Sequence, residues 1–317
     1  MARQGNKEIF LGGLRKLFEE QWQVDVLLKA GNSDECASIS AHKLVLASRS
    51  MVLKKMMESD ELKSSPKLET VTFSEMRQEE LEALVEFMYS VDGSISSQSL
   101  KKHVLVFAMV TQNNKDKEIF LSGLKKLFEE QWQPDVLLKA GNSDKGATIS
   151  AHKLVLASRS VVLKKIMESD EFKASSKLET VTFSEMKHEE LEALVEFMYC
   201  VDGSICLESL KKHVGSLYLA ADKYEIPHLR DLCRNQLKSS LNSSNALNTF
   251  ELAQIPFDKA LNDAAFTTIK NNINTIANSA EFKLFVVNNP YLSVEIMKAF
   301  LVQPNSYCCG CCGKYRF

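Results

Sequence analysis

His42 and His152 stand first among the residues that could do chemistry. A serine follows each on the C-terminal side, Ser48 and Ser158, and an aspartate precedes each, Asp25 and Asp135. A nucleophile, a base and an orienting acid are the parts of a hydrolytic triad. The Gly-x-Ser-x-Gly elbow that presents a serine nucleophile is missing from the sequence. The competing reading is a buried polar network that joins a strand to a helix. Geometry is the test between the two. A second cluster, Cys308-Cys309-Gly310-Cys311-Cys312, brings four thiols together. A four-thiolate zinc site normally draws its ligands from two knuckles separated by a folded stretch. Adjacent cysteines do not easily supply that tetrahedral geometry. S-acylation, adventitious metal or redox chemistry, and a disordered tail with reactive thiols stay open, the last being the default. No catalytic, cofactor or metal site is assigned from these residues.

The elements that would position such groups come twice. Residues 7–104 and 117–214 align without a gap at an offset of 110, with 81 identities in 98 positions. The run Ile39–Ser50 recurs unchanged as Ile149–Ser160. That period is too long for a solenoid, so it marks a duplicated domain. The copies part at their ends. After Val214 the chain continues Gly-Ser-Leu-Tyr-Leu-Ala-Ala-Asp-Lys-Tyr-Glu-Ile-Pro-His-Leu, and after Val104 it has nothing of the kind. The first copy therefore reads as truncated. The expected organisation is a first copy at 1–104, a linker at 105–116, a complete second copy at 117–239, a helical extension at 240–303 and a disordered Cys-rich tail at 304–317. Cys200 and Cys206 are matched by Ser90 and Ser96, which argues against an obligatory disulfide or metal role.

In the second copy, Phe120, Leu121, Leu124, Leu127 and Phe128 fall at helical spacing, so a helix opens the domain. Short apolar runs at 135–139 and 148–152, parted by Gly141-Asn-Ser-Asp144, predict a hairpin. Two short helices follow over 154–158 and 161–167, then a strand over 180–183. Glu189 and Glu190 suit the first turn of a helix that buries Leu191, Leu194, Val195 and Met198. A further helix carries Leu210 to Tyr224, and Pro227 opens the next. Early strands followed by dominant helices make the fold α+β. The extension shows apolar stripes at 246–253, 258–269 and 292–301.

The bulk numbers exclude other classes. Lys+Arg is 39 and Asp+Glu 41, a net charge of -2, without the basic excess a duplex-DNA binder uses. The lysine pairs at 54–55, 164–165 and 211–212 sit beside apolar stripes, as solvated helix faces do. There is no Gly-rich phosphate loop. No apolar run reaches the roughly 20 residues of a membrane span, and no signal sequence is read. The expectation is a cytoplasmic or nuclear protein with no nucleic-acid or membrane partner. Trp22 and Trp132 read as core or interface residues.

Asp135-Val-Leu-Leu, Ile149-Ser-Ala-His-Lys-Leu-Val-Leu-Ala-Ser-Arg-Ser160, Val162-Leu-Lys-Lys-Ile-Met167 and Leu217–Leu229 stand in this order. Together they resemble the BTB/POZ domain, in its plant type. The first copy carries the early motifs from Asp25 to Met57. The stretch from Asn245 to Leu301 resembles the helical box that follows such domains in cullin adaptors. The resemblance implies protein binding without catalysis: an adaptor of a cullin-3 ubiquitin ligase with an unknown substrate protein. The alternative is an oligomerisation scaffold for transcriptional or signalling complexes. It implies a cullin surface at Met167, Phe172, Lys173, Ala174, Tyr224, Glu225 and Ile226, with Phe172 as exposed anchor. One departure is Ala174, where many relatives place Glu. It also implies a dimer seam along the opening helices at Leu14, Leu17, Phe18, Leu124, Leu127 and Phe128. Pairing between chains, with itself or with other BTB proteins, is expected because the first copy is truncated; 117–303 is expected to fold alone and 1–115 is not.

Overall fold

The computed structural model describes residues 2–31, 37–58, 68–90, 116–141, 147–169, 172, 179–200 and 205–301. The chain divides into two units, Met1–Cys233 and Arg234–Phe317. The expected linker up to residue 115, Lys173, Ala174 and the expected tail at 304–317 lie outside the described residues.

In the first unit each copy builds the same frame. The first copy has α1 (Ala2–Glu19), β1 (Val26–Ala30), β2 (Ile39–Ala41), α2 (Lys43–Arg49), α3 (Met51–Met57), β3 (Glu69–Phe73) and α4 (Gln78–Tyr89). The second has α5 (Asp116–Glu129), β4 (Val136–Ala140), β5 (Thr148–Ala151), α6 (Lys153–Arg159), α7 (Val161–Glu168), β6 (Thr180–Phe183) and α8 (His188–Tyr199). It continues with α9 (Leu207–Lys223) and α10 (Pro227–Ser239). Each sheet has three strands, ordered β2-β1-β3 and β5-β4-β6. The outer pairs differ: β1–β2 and β4–β5 are antiparallel hairpins, while β1–β3 and β4–β6 run parallel. Central β1 and β4 alternate buried positions with half-buried or exposed ones, so Val26, Leu28 and Ala30, and likewise Val136, Leu138 and Ala140, face the core.

Local chemistry sets the helix ends. Ser50 and Ser160 cap α3 and α7, each Oγ accepting from the N–H of Leu53 or Leu163. Glu80 and Glu190 turn back to accept the N–H of Arg77 and Lys187 at the starts of α4 and α8. Pro227 opens α10 as its spacing predicts. In the second copy α9 lays Leu217, Tyr218, Ala220 and Ala221 into the core.

The second unit carries α11 (Ala246–Leu252), α12 (Lys259–Asn271), α13 (Ile273–Ile276), α14 (Ala280–Asn288) and α15 (Pro290–Leu301). Their core joins Ala246, Leu247, Phe250, Ala265, Ile269, Ile276, Phe285 and Ile296. Three of these helices match the sequence stripes. α13 and α14 do not, because α14 is apolar all round (Phe282, Leu284, Phe285, Val286 and Val287) and has no polar face to give a period.

Candidate functional site

The histidines lie where strand meets helix, directly before α2 and α6. His42 is buried, and Nε2 lies 2.8 Å from the Trp22 carbonyl oxygen while Nδ1 lies 2.7 Å from the Tyr89 hydroxyl. A carbonyl only accepts, so Nε2 carries the proton and Nδ1 accepts from the Tyr89 hydroxyl. That hydroxyl in turn accepts the backbone N–H of His42 at 2.9 Å. His152, Trp132 and Tyr199 repeat the arrangement. Asp25 accepts the N–H of Lys43 at the start of α2 at 2.7 Å, and Asp135 that of Lys153. Ser48 and Ser158 donate to the carbonyls of Val45 and Val155 in their own helices. Histidine and serine are thus each committed elsewhere. These residues form the strand-to-helix network, not a triad.

Burial pushes His42 below its ordinary value and Asp25 up to about 6. The two act in opposite directions on stability. As pH falls below 6.5, the unfolded histidine takes a proton that folded His42 refuses, so stability falls with pH. Between 3.8 and about 6 the folded Asp25 keeps a proton that the unfolded carboxyl has lost, so stability falls as pH rises and the penalty is complete above that window. Asp25→Asn keeps an acceptor for Lys43 without the buried charge. The stability difference, variant minus parent, is therefore expected to grow from pH 4 to pH 7 by about 2 kcal/mol. Thermal unfolding of both proteins across that range measures it, and a flat difference contradicts the desolvated carboxyl.

The larger feature is the seam between the copies. α1 of the first copy packs on α6 of the second, and α5 of the second packs on α2 of the first. The contacts come in reciprocal pairs. Trp22 Nε1 donates to Glu168 Oε1 at 2.6 Å, and Trp132 Nε1 donates to Glu58 Oε1 at 2.8 Å. Lys164 pairs with Glu20, and Lys54 with Glu130. These lysines hold both carboxylates below the usual range. The Arg159 guanidinium lies 4.5 Å from the centre of the Phe10 ring and 5.0 Å from that of Phe197. This is the pairing of an isologous interface, made inside one chain. The sequence argument favours pairing between chains. The structure differs because the first copy, though lacking a described counterpart of α9 and α10, still supplies a whole seam helix.

Leu14, Leu17, Leu124 and Leu127 are buried in α1 and α5, while Phe18 and Phe128 are half-buried and stack on Tyr89 and Tyr199 of their own copies. Two glycines escaped the sequence argument. A Cβ on Gly13 would lie 2.0 Å from the Ser158 carbonyl oxygen, and one on Gly123 would lie 1.9 Å from that of Ser48. The backbones meet only because side chains are absent there. A signal was present: the preceding residue is Gly12 in one copy and Ser122 in the other, while Gly13 and Gly123 coincide.

The residues expected to face a cullin are mostly inside. Met167, Phe172, Tyr224 and Ile226 are buried. Phe172 is a correction: expected as an exposed anchor, it is 8% exposed, with Lys153 Nζ 5.5 Å from its ring centre. A large aromatic side chain beside a domain core gains more from burial than from standing in water. Glu225 is exposed, in a left-handed turn at φ 49 between α9 and α10. Ser160 Oγ donates to the Tyr224 carbonyl oxygen at 2.5 Å, so exposed Val161 and Glu225 flank one hydrogen bond.

The sequence pattern of the BTB/POZ domain matches residues 14–110 and again 124–241. One BTB/POZ domain-containing protein of Arabidopsis thaliana is 69% identical over 210 residues, 65% of this chain and the whole of that relative. A second from the same plant is 58% identical over 219 residues, 64% of this chain and 96% of the relative. A third is 43% identical over 185 residues, 58% of this chain and 86% of its own length.

Proposed function

We propose, from the premise that this chain belongs to the BTB/POZ domain family, that it is a protein-interaction module serving as adaptor of a cullin-3-type ubiquitin ligase. One observation carries the reading: the second copy keeps α9 and α10 beyond its core frame, and a helical extension with its own core follows in sequence. The seam is closed within the chain, so its surfaces for partners lie elsewhere. We place cullin contact around the α9–α10 turn, at Val161 and Glu225; the family resemblance adds Lys173 and Ala174, which lie outside the described residues. An exposed apolar residue next to an exposed acid offers both an anchor and a direction. Tyr224 and Ile226, on either side of Glu225 in sequence, are buried, as are Met167 and Phe172. The substrate protein stays unidentified.

The test is capture of the full chain by an immobilised N-terminal cullin-3 fragment. Val161→Asp with Glu225→Arg is expected to weaken capture at least tenfold, while the circular dichroism spectrum stays that of the parent. Because Phe172 is buried, Phe172→Ala is expected to lower stability by about 3 kcal/mol. If the parent is not captured at all, the adaptor reading gives way to that of a scaffold for other complexes.

A further inference from the structure

The opening helices are used on two sides. One side of α1 and of α5 closes the seam, and another lines a groove that each copy carries on its own. In the first copy Phe18, Ile39, Val85 and Tyr89 line it. In the second, Phe128, Ile149, Val195 and Tyr199 stand in the same places. The floor is preformed. Phe18 stacks on Tyr89 with 4.1 Å between ring centres, and Phe128 on Tyr199 with 4.2 Å. Each tyrosine hydroxyl is held by its histidine, so the rings stay in place. Ile39 and Ile149 are half-buried on β2 and β5, the edge strands of their sheets. The groove measures 210 Å³ in the first copy and 1130 Å³ in the second, where α9 adds a wall.

The rims carry an excess of one sign. Glu19, Glu82 and Glu86 share the first groove with a single cation, Arg15. Glu129, Glu192 and Glu196 share the corresponding part of the second with Lys125. Arg15 pairs with Glu19 at 3.0 Å and Lys125 with Glu129 at 3.9 Å, each along its own helix. Glu82 accepts from the neutral amide of Gln78, and Glu192 lies 3.4 Å from His188 Nε2. Glu86 and Glu196 pair with no cation among the described residues. The wall from α9 leaves the sign unchanged, because Glu208 pairs with Lys211 and Glu189 with Lys212. Each groove thus holds two more carboxylates than lysines and arginines, whereas the whole chain, with 41 acids against 39 bases, has an excess of only two. The negative charge is gathered at the grooves and balanced elsewhere.

We infer that the two grooves are twin docking sites for short basic segments of a partner protein, each segment seating an apolar side chain on the Phe–Tyr floor while its lysines or arginines meet the glutamate rim. The apolar floor supplies the contact area, and the rim selects the sign of what enters. Exposed ion pairs contribute little singly, so neither part suffices without the other. The same rim repels a nucleic-acid backbone. Both grooves belong to one compact unit, so a partner with two such segments on a linker that spans them gains avidity without any new contact. Neither groove is lined by Val161 or Glu225, and the inference does not rest on the adaptor reading.

Titration of the full chain into a fluorescein-labelled amphipathic lysine–leucine peptide, followed by anisotropy, tests this. Binding is expected, with two peptides per chain by calorimetry and an affinity that falls as salt is added. A glutamate–leucine peptide of the same pattern and a lysine–serine peptide are expected not to bind. Glu82→Lys, Glu86→Lys, Glu192→Lys and Glu196→Lys together are expected to weaken binding at least tenfold at an unchanged unfolding temperature. The same charge change at Glu75, Glu251, Glu281 and Glu295, which are exposed and line neither groove, is expected to leave binding as in the parent. Equal loss in both variants overturns the proposal, since attraction to the whole chain then explains it. Failure of the lysine–leucine peptide to bind, a single site per chain, or equal binding of either control peptide also overturns it. Self-association of the full chain that the four groove lysines abolish gives the grooves to a second copy instead.

Discussion

Gly13→Ala combined with Gly123→Ala is expected to force the two copies apart. Each added methyl would meet a backbone carbonyl at about 2 Å, Ser158 in one case and Ser48 in the other. A carbonyl in a helix cannot swing aside as a side chain can, so α1 and α5 must lift as bodies. Overpacking of this kind costs about 1–3 kcal/mol a site, occasionally more. Here the lift also breaks the Trp22–Glu168 and Trp132–Glu58 hydrogen bonds. The pair should therefore lose roughly 4 kcal/mol or more, a large share of the stability of an ordinary domain. Gly12→Ala is the control in the same helix. Nothing lies within 4 Å of its Cβ position, and alanine in a helix interior is better than glycine by about 1 kcal/mol. Gly12→Ala should raise the unfolding midpoint while its neighbour lowers it. Chemical denaturation of the three proteins decides the matter, and equal midpoints for Gly12→Ala and Gly13→Ala would mean that the seam is not built this way.

What the sequence made legible follows from where its signals are local. The α4 and α8 starts, the β1–β2 and β4–β5 hairpins and the Pro227 helix start are written in a few neighbouring residues, and all appear as expected. The parallel place of β3 and β6 beside β1 and β4 is a long-range pairing that no short run specifies. α14 was hidden because its apolar residues, Phe282, Leu284, Phe285, Val286 and Val287, are spread all round the helix and leave no single stripe. The histidine network was half legible: His42 at a strand-to-helix junction suggested a polar link, but Tyr89, which satisfies it, lies 47 residues on. Phe172 misled because an aromatic expected to stand exposed as an anchor is buried instead. The seam helices were legible from their leucines, yet the identity of the partner was not. Two almost identical copies have almost identical seam residues, so sequence alone cannot tell self-pairing within a chain from pairing between chains. Tether length and backbone approach decide that, and both are properties of the folded chain.

The same ambiguity makes the isolated second copy informative. Residues 117–303 contain α6 but not α1, the helix that covers it. Phe10, Leu11, Leu14 and Leu17 are all buried in the full chain. Fully burying one such side chain contributes roughly 1.5–3 kcal/mol, so losing four removes on the order of a whole domain's stability. The fragment still carries α5, whose own site on α2 has gone with the first copy. Two fragments can satisfy each other: α5 of each can take the α1 site on the other, with Trp132 donating to Glu168 in place of Glu58. That is a closed, twofold exchange. The full chain has no need of it, because the tether gives its own helices a millimolar-range advantage over those of another molecule. The expected result is a concentration-independent monomer for the full chain and a dimer for 117–303. The fragment's unfolding midpoint should rise with its concentration, as linkage requires when folding and association are coupled. Light scattering at several concentrations, paired with thermal unfolding, reads both. A monomeric fragment that unfolds cooperatively would show that α6 does not depend on a seam helix from elsewhere. A full-length dimer would instead return the pairing to separate chains.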